Sequence, residues 1–109
     1  MILFQLLFEV SDAKRAQFEK TYVEVFEPAL RRQTGFRNVK LLRIFSAPQV
    51  AEIAAAPTEY NYQVNFVFES EALRRQWATS PDHDVAWPAL AAVADKFLWR
   101  GYDIVASTN

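Results

Sequence analysis

The hydrophobic pattern predicts an α+β fold of the ferredoxin-like, split βαββαβ kind: a four-stranded antiparallel sheet with helices on one face. Two observations carry this. The segments "ILFQLLFEV" and "YNYQVNFVFE" alternate in side-chain character with a period of two. Each is followed by a stretch of helical spacing that opens on a serine, "SDAKRAQFEK" in one case and "SEALRRQWAT" in the other.

In the first strand Ile2, Phe4, Leu6, Phe8 and Val10 share one side, and Leu3, Gln5, Leu7 and Glu9 the other. Residues 11 to 35 predict a long helix, with Ser11 or Asp12 as its cap and Gly35 as a left-handed stop. Phe18, Tyr22, Val25, Phe26 and Ala29 form its apolar stripe. Pro28 has no N–H for the Glu24 carbonyl, so a kink is expected there. "FRNVKLLRIFS" predicts a second strand, neither side of which is marked as the inner one. A connection between Pro48 and Pro57 follows, with a helical turn expected near Val50 to Ala55. In the third strand Tyr60, Tyr62, Val64, Phe66 and Phe68 oppose Asn61, Gln63, Asn65 and Val67. Helices then open at Ser70 and at Ser80, the latter with Pro81 as its first residue and helical spacing as far as Leu98, bent by Pro88. "WRGYDIVAS" closes the chain as a strand.

A length of 109 residues suits a single domain over 1–109. The formal net charge is −1 and no basic cluster exceeds "RR", so nucleic-acid binding is not expected. There is no cysteine and one histidine, which excludes disulfides, thiolate chemistry and a histidine-rich metal site within one chain. "MILFQLLFEV" lacks the basic start and cleavage site of a signal peptide, and no apolar run reaches the ~20 residues of a membrane span. A soluble cytoplasmic protein is the expectation.

Helices would cover the sheet side that carries Phe4, Phe8, Phe66 and Phe68. The opposite side would show Leu3, Leu7 and Val67 beside Gln5, Asn61, Gln63 and Asn65. A mixed face of this kind either meets solvent in a monomer or suits the same face of a second subunit. The second is the expected outcome, giving a homodimer with a sheet-walled interior for a small aromatic or apolar ligand.

"ALRRQTGFRNVKLLR" and "FVFESEALRRQWATSPDHDVAW" resemble the antibiotic biosynthesis monooxygenase-like proteins of the dimeric α+β barrel superfamily. The matched features are an aromatic strand, a polar turn, "EAL", a bulky residue about four positions on, and "SP" followed by histidine. The resemblance implies a dimeric barrel and places Trp77 where relatives carry a pocket tryptophan or histidine. It also matches His83 to the histidine after "SP". In the haem-degrading branch the axial histidine falls near Trp87, which cannot ligate iron, and the first-strand asparagine is represented by Gln5.

His83 near a helix N-terminus should stay neutral, although Asp82 and Asp84 oppose this. It then serves either as a base toward a phenol or as a solvent-facing side chain. Trp77 and Trp87 either stack a ligand or close the core. Arg43 and Arg37 either bind an anionic oxygen or are plain strand arginines. No catalytic triad, carboxylate pair, phosphate loop or metal spacing is present. The function expected is cofactor-independent oxygenation of an aromatic or polyketide-like compound, with no metal or other cofactor. His83 would act as base, while Trp77, Asn65 and Gln63 orient the substrate and Gln5, Arg43 and Trp87 line the site. The alternatives are a ligand-binding or stress-response module without chemistry, and a cyclase or isomerase.

Overall fold

The computed structural model describes residues 1–108, so the last residue of the domain expected over 1–109 lies outside the described residues. Strands β1 (Ile2–Glu9), β2 (Phe36–Arg43), β3 (Tyr62–Phe68) and β4 (Lys96–Asp103) form one antiparallel sheet in the order β2-β3-β1-β4. Cross-strand partners share a face, so register assigns the two sides. Phe4 pairs with Phe66, Leu6 with Val64 and Phe8 with Tyr62, and these residues face the helices. Leu3 with Val67, Gln5 with Asn65, and Leu7 with Gln63 lie on the open side.

The ambiguous second strand is resolved by a register shift between Phe36 and Asn38. Past the irregularity Val39 and Leu41 pair with Phe66 and Val64 on the core side, while Lys40 and Leu42 face outward. The irregularity also sets Phe36 against Phe68, with ring centroids 6.1 Å apart. A bulge that exchanges faces removes the simple alternation that sequence reading relies on.

The first helical region runs from a 3-10 turn (Asp12–Lys14) into α1 (Arg15–Thr21), a π-helical stretch (Tyr22–Phe26) and α2 (Glu27–Arg31). In place of a simple kink at Pro28, the chain inserts the π stretch just before it, where the Glu27 N–H reaches back to the Tyr22 carbonyl. A π-bulge is a common way to absorb a broken i→i−4 ladder. Phe18, Tyr22, Phe26, Ala29 and Leu30 are buried, close to the expected stripe. Ser11 gives no side-chain cap; its N–H instead donates to Asp95. The helix ends at Arg31, short of the expected stop; Gly35, at φ +84°, belongs to the turn into β2, where a Cβ would lie 2.4 Å from Leu73 Cδ1.

The connection carries α3 (Ala47–Glu52), which begins earlier than the expected turn because Ser46 and Gln49 form a capping box. Beyond β3, α4 (Glu71–Ala78) opens at Ser70, whose side chain accepts the Leu73 N–H. α5 (Pro81–Ala91) opens at Ser80 as expected and runs through Pro88. It ends at Ala91, not near Leu98. The Asp95 N–H donates to the Glu9 carbonyl, and from Lys96 the chain pairs with β1 as β4. Phe97 and Trp99 thus alternate along a strand opposite Phe8 and Leu6. Phe97 merged with the preceding helical stripe when read from sequence, whereas Trp99 already opened the expected strand.

Candidate functional site

A cavity of about 220 Å³ lies between the sheet and the helices α4 and α5. Phe4, Leu6 and Phe66 supply its sheet wall, and Trp77, Trp87 and Trp99 approach from α4, α5 and β4. All three tryptophans of the chain therefore line one space. Trp77 is 2% exposed and packs edge-on to Phe26, while Trp87 stands edge-on to Trp99 at 5.8 Å. Trp77 and Trp87 consequently belong both to the core and to the cavity wall.

His83 and Arg74 are the ionisable side chains on this wall. The His83 ring meets the Trp77 ring edge-on at 5.0 Å. Ser80 sets that geometry: its hydroxyl donates to the Trp77 carbonyl at 2.7 Å and accepts the His83 backbone N–H at 3.2 Å. The end of α4 and the start of α5 are thereby joined at one side chain. Burial pushes the His83 imidazole below its ordinary pKa of 6.5, Arg74 acts in the same direction, and Asp84 opposes them. Neutrality was expected from the helix terminus; desolvation is the larger cause. Asp82 is occupied elsewhere, accepting from Arg32 and Gln33. The imidazole nitrogens have no hydrogen-bond partner among the described residues, which leaves one free to accept from a ligand and the other to donate.

The amides are not part of this cavity. Gln5, Gln63 and Asn65 lie on the open side of the sheet, because Gln5 pairs with Asn65 and Gln63 with Leu7. Side chains one residue apart on a strand point to opposite faces, so the sheet separates these amides from Phe4, Phe66 and His83. Gln5 accepts from the Tyr102 hydroxyl, and the buried Asn65 Oδ1 has no partner among the described residues. Asn61 is committed to the Val10 backbone, donating to its carbonyl and accepting its N–H. The expected single site built from His83, Trp77, Asn65 and Gln63 is corrected accordingly.

Arg43 is also elsewhere. It lies 3.8 Å from Glu19, which accepts the Tyr62 hydroxyl, in an open cleft of about 1040 Å³ beneath residues 44–61. That cleft is larger and open to solvent, is lined by apolar side chains such as Leu41, Phe45 and Val50 beside polar ones, and contains no histidine. Arg37 pairs with Glu69 at 3.0 Å. Sequence reading missed Arg74 and Trp99. Arg74 sits three residues before Trp77 on α4, so helical spacing alone would have put both on one face. Trp99 was expected in the last strand, but only its pairing with Leu6 shows that it faces the core side. Among the described residues, no group of three or more His, Asp or Glu is placed to hold a metal ion, and no helix is long and apolar enough to cross a membrane.

No protein-family model and no curated protein matches the chain. Solved structures do. A variant of SnoaB, a cofactor-independent oxygenase from Streptomyces nogalater, superposes with a TM-score of 0.77 at 20% identity, over 98% of this chain and 95% of that one. A Caulobacter crescentus protein provisionally classed as an antibiotic biosynthesis monooxygenase gives 0.74 at 18% identity, over 96% and 90%. A dimeric ferredoxin-like protein of unknown function from Bacteroides fragilis gives 0.70 at 15% identity, over 94% of each chain. The fold is the ferredoxin-like one that these structures share, a cofactor-independent oxygenase and a dimeric protein of unknown function among them.

Proposed function

We propose that the chain is a one-domain, homodimeric, cofactor-independent oxygenase of small phenols, and that its reaction takes place in the Trp77–His83 cavity of each protomer. The observation that carries this reading is a neutral histidine facing a space walled by aromatic rings. An engineered cavity of ~150 Å³ accepts benzene, so about 220 Å³ suits one or two fused rings better than a large polyketide. Homodimer formation is supported by the open, half-apolar sheet side and by the dimeric relatives of the same fold.

His83 takes the phenol's proton, and the electron-rich ring then reacts with dioxygen at a carbon para to the oxygen. A hydroperoxide forms at that carbon. It loses water as the remaining C–H bond breaks, leaving a quinone carbonyl. One oxygen atom ends in the quinone and the other in water, with every electron supplied by the substrate. Burial keeps the His83 imidazole neutral and ready to take the proton, while weakening it as a base; the proton returns to the peroxide as the hydroperoxide forms.

The test is oxygen uptake with 1-naphthol, with 1,4-naphthoquinone as the product. His83→Ala should lower turnover by at least about a hundredfold, within the range for loss of one general base, while naphthol still binds. Unchanged turnover removes His83 from the reaction. Naphthol binding to the wild type without oxygen uptake would mean a binding module instead of an enzyme.

A further inference from the structure

The cation on the cavity wall is built with more care than a surface arginine requires. Arg74 is only 16% exposed along its side chain. Its Nε and Nη2 donate to the two oxygens of Glu71 at 2.8 and 2.6 Å. Its guanidinium carbon lies 4.5 Å from the centre of the Phe4 ring. Glu71 therefore holds one edge of the guanidinium fork and Phe4 supports its face. Nη1 has no hydrogen-bond partner among the described residues. Glu71 is shared with Arg75, which is 75% exposed and also donates to Oε1. Two guanidinium groups sharing one carboxylate leave the cluster with one net positive charge. Only Arg74 of the two lines the cavity.

A mostly buried cation with a spare donor, in a space otherwise apolar apart from His83, favours an anion over a neutral ring. Resting on the reading of this cavity as an aromatic-ligand site, we infer that Arg74 holds the ionised oxygen of the bound substrate, so that the site takes small phenols as phenolates. Glu71 and Phe4 are its positioning residues. His83 removes the phenol's proton, and Arg74 receives the negative charge left behind. Arg43, a candidate for this work in the sequence, is directed to Glu19 and lies outside the cavity.

The probes are 4-nitrophenol, at a pH where it is ionised, and nitrobenzene, its uncharged counterpart. With its para carbon blocked, nitrophenol reports binding without the proposed turnover. Calorimetric titration of wild type should show nitrophenolate bound more tightly than nitrobenzene. Arg74→Gln should weaken nitrophenolate by roughly tenfold or more, the size expected for one hydrogen bond to an ion, and leave nitrobenzene unchanged. Arg75→Gln, at an exposed side chain outside the cavity, should weaken nitrophenolate far less than Arg74→Gln does and leave nitrobenzene unchanged. Equal weakening of both probes in Arg74→Gln, or none, overturns the assignment of Arg74. If that variant has lost its cavity, Arg74→Lys decides: preference for the anion kept with nitrobenzene binding intact supports the inference, and preference lost with binding intact overturns it. Failure of wild type to bind either probe refutes the cavity reading itself, and the inference with it.

Discussion

His83 accepts a proton only while its imidazole is neutral, and burial makes that form persist to lower pH than in a free histidine. With the folded pKa below 6.5, turnover should be level at neutral pH and fall only as pH drops through a value under 6.5. The stability effect has a definite sign. Below about 6.5 the unfolded chain protonates this residue before the folded chain does, so the fold loses stability as pH falls from there toward the folded pKa. A pH profile of the oxygen-uptake rate, set beside NMR titration of the single imidazole, checks both. An acid limb above 6.5 would contradict the buried environment. At this scale the sequence already singled out His83, Trp77 and Trp87, because rare side chains are conspicuous. Arg74 was hidden beside Arg75: two adjacent arginines look alike until a helix sends one inward and the other to solvent.

Among the elements, the junction between α4 and α5 has the most influence on the site. Ser80 closes one helix and caps the next, and Trp77 and His83 stand on its two sides. Ser80→Ala should lower unfolding stability by about 1 kcal/mol, the usual worth of such a cap, measured by urea denaturation. Because the same hydroxyl sets the two rings against each other, turnover should fall more than stability explains. An N-cap was readable here from "SP" alone, and the left-handed glycine at 35 likewise, although the helix ends earlier, at Arg31. The π stretch before Pro28 was not. Proline states which bond is missing, but packing of Phe18, Tyr22 and Phe26 decides where the extra residue goes. The end of α5 was misread for a related reason, since Val93 and Ala94 remain against the core after the helix has stopped.

For the whole molecule, the open side of the sheet is the surface on which the proposed dimer would form. Leu42 is 38% exposed on that side, opposite Gln63, and the single chain does not depend on it for its core. Leu42→Asp should therefore convert the proposed dimer to a monomer while leaving the circular dichroism of the fold unchanged. Native mass spectrometry reads the outcome directly. A dimer that tolerates this charge would place its interface elsewhere. The same sheet explains why the expected cavity moved. A sheet-walled interior between subunits would be lined by Gln5, Gln63 and Asn65, whereas the space with rings and a base lies within each chain, on the other side.

By itself the amino-acid order determined the strand and helix sequence, the core side of β1 and β3, and the serines that open α4 and α5. Those features follow from local periodicity and from backbone groups that need a nearby partner. The tertiary structure alone decided the inner side of β2, the separation of the amides from His83, and the choice of Arg74 over Arg43. Each depends on register or on contacts between residues far apart in the chain, which no local pattern contains.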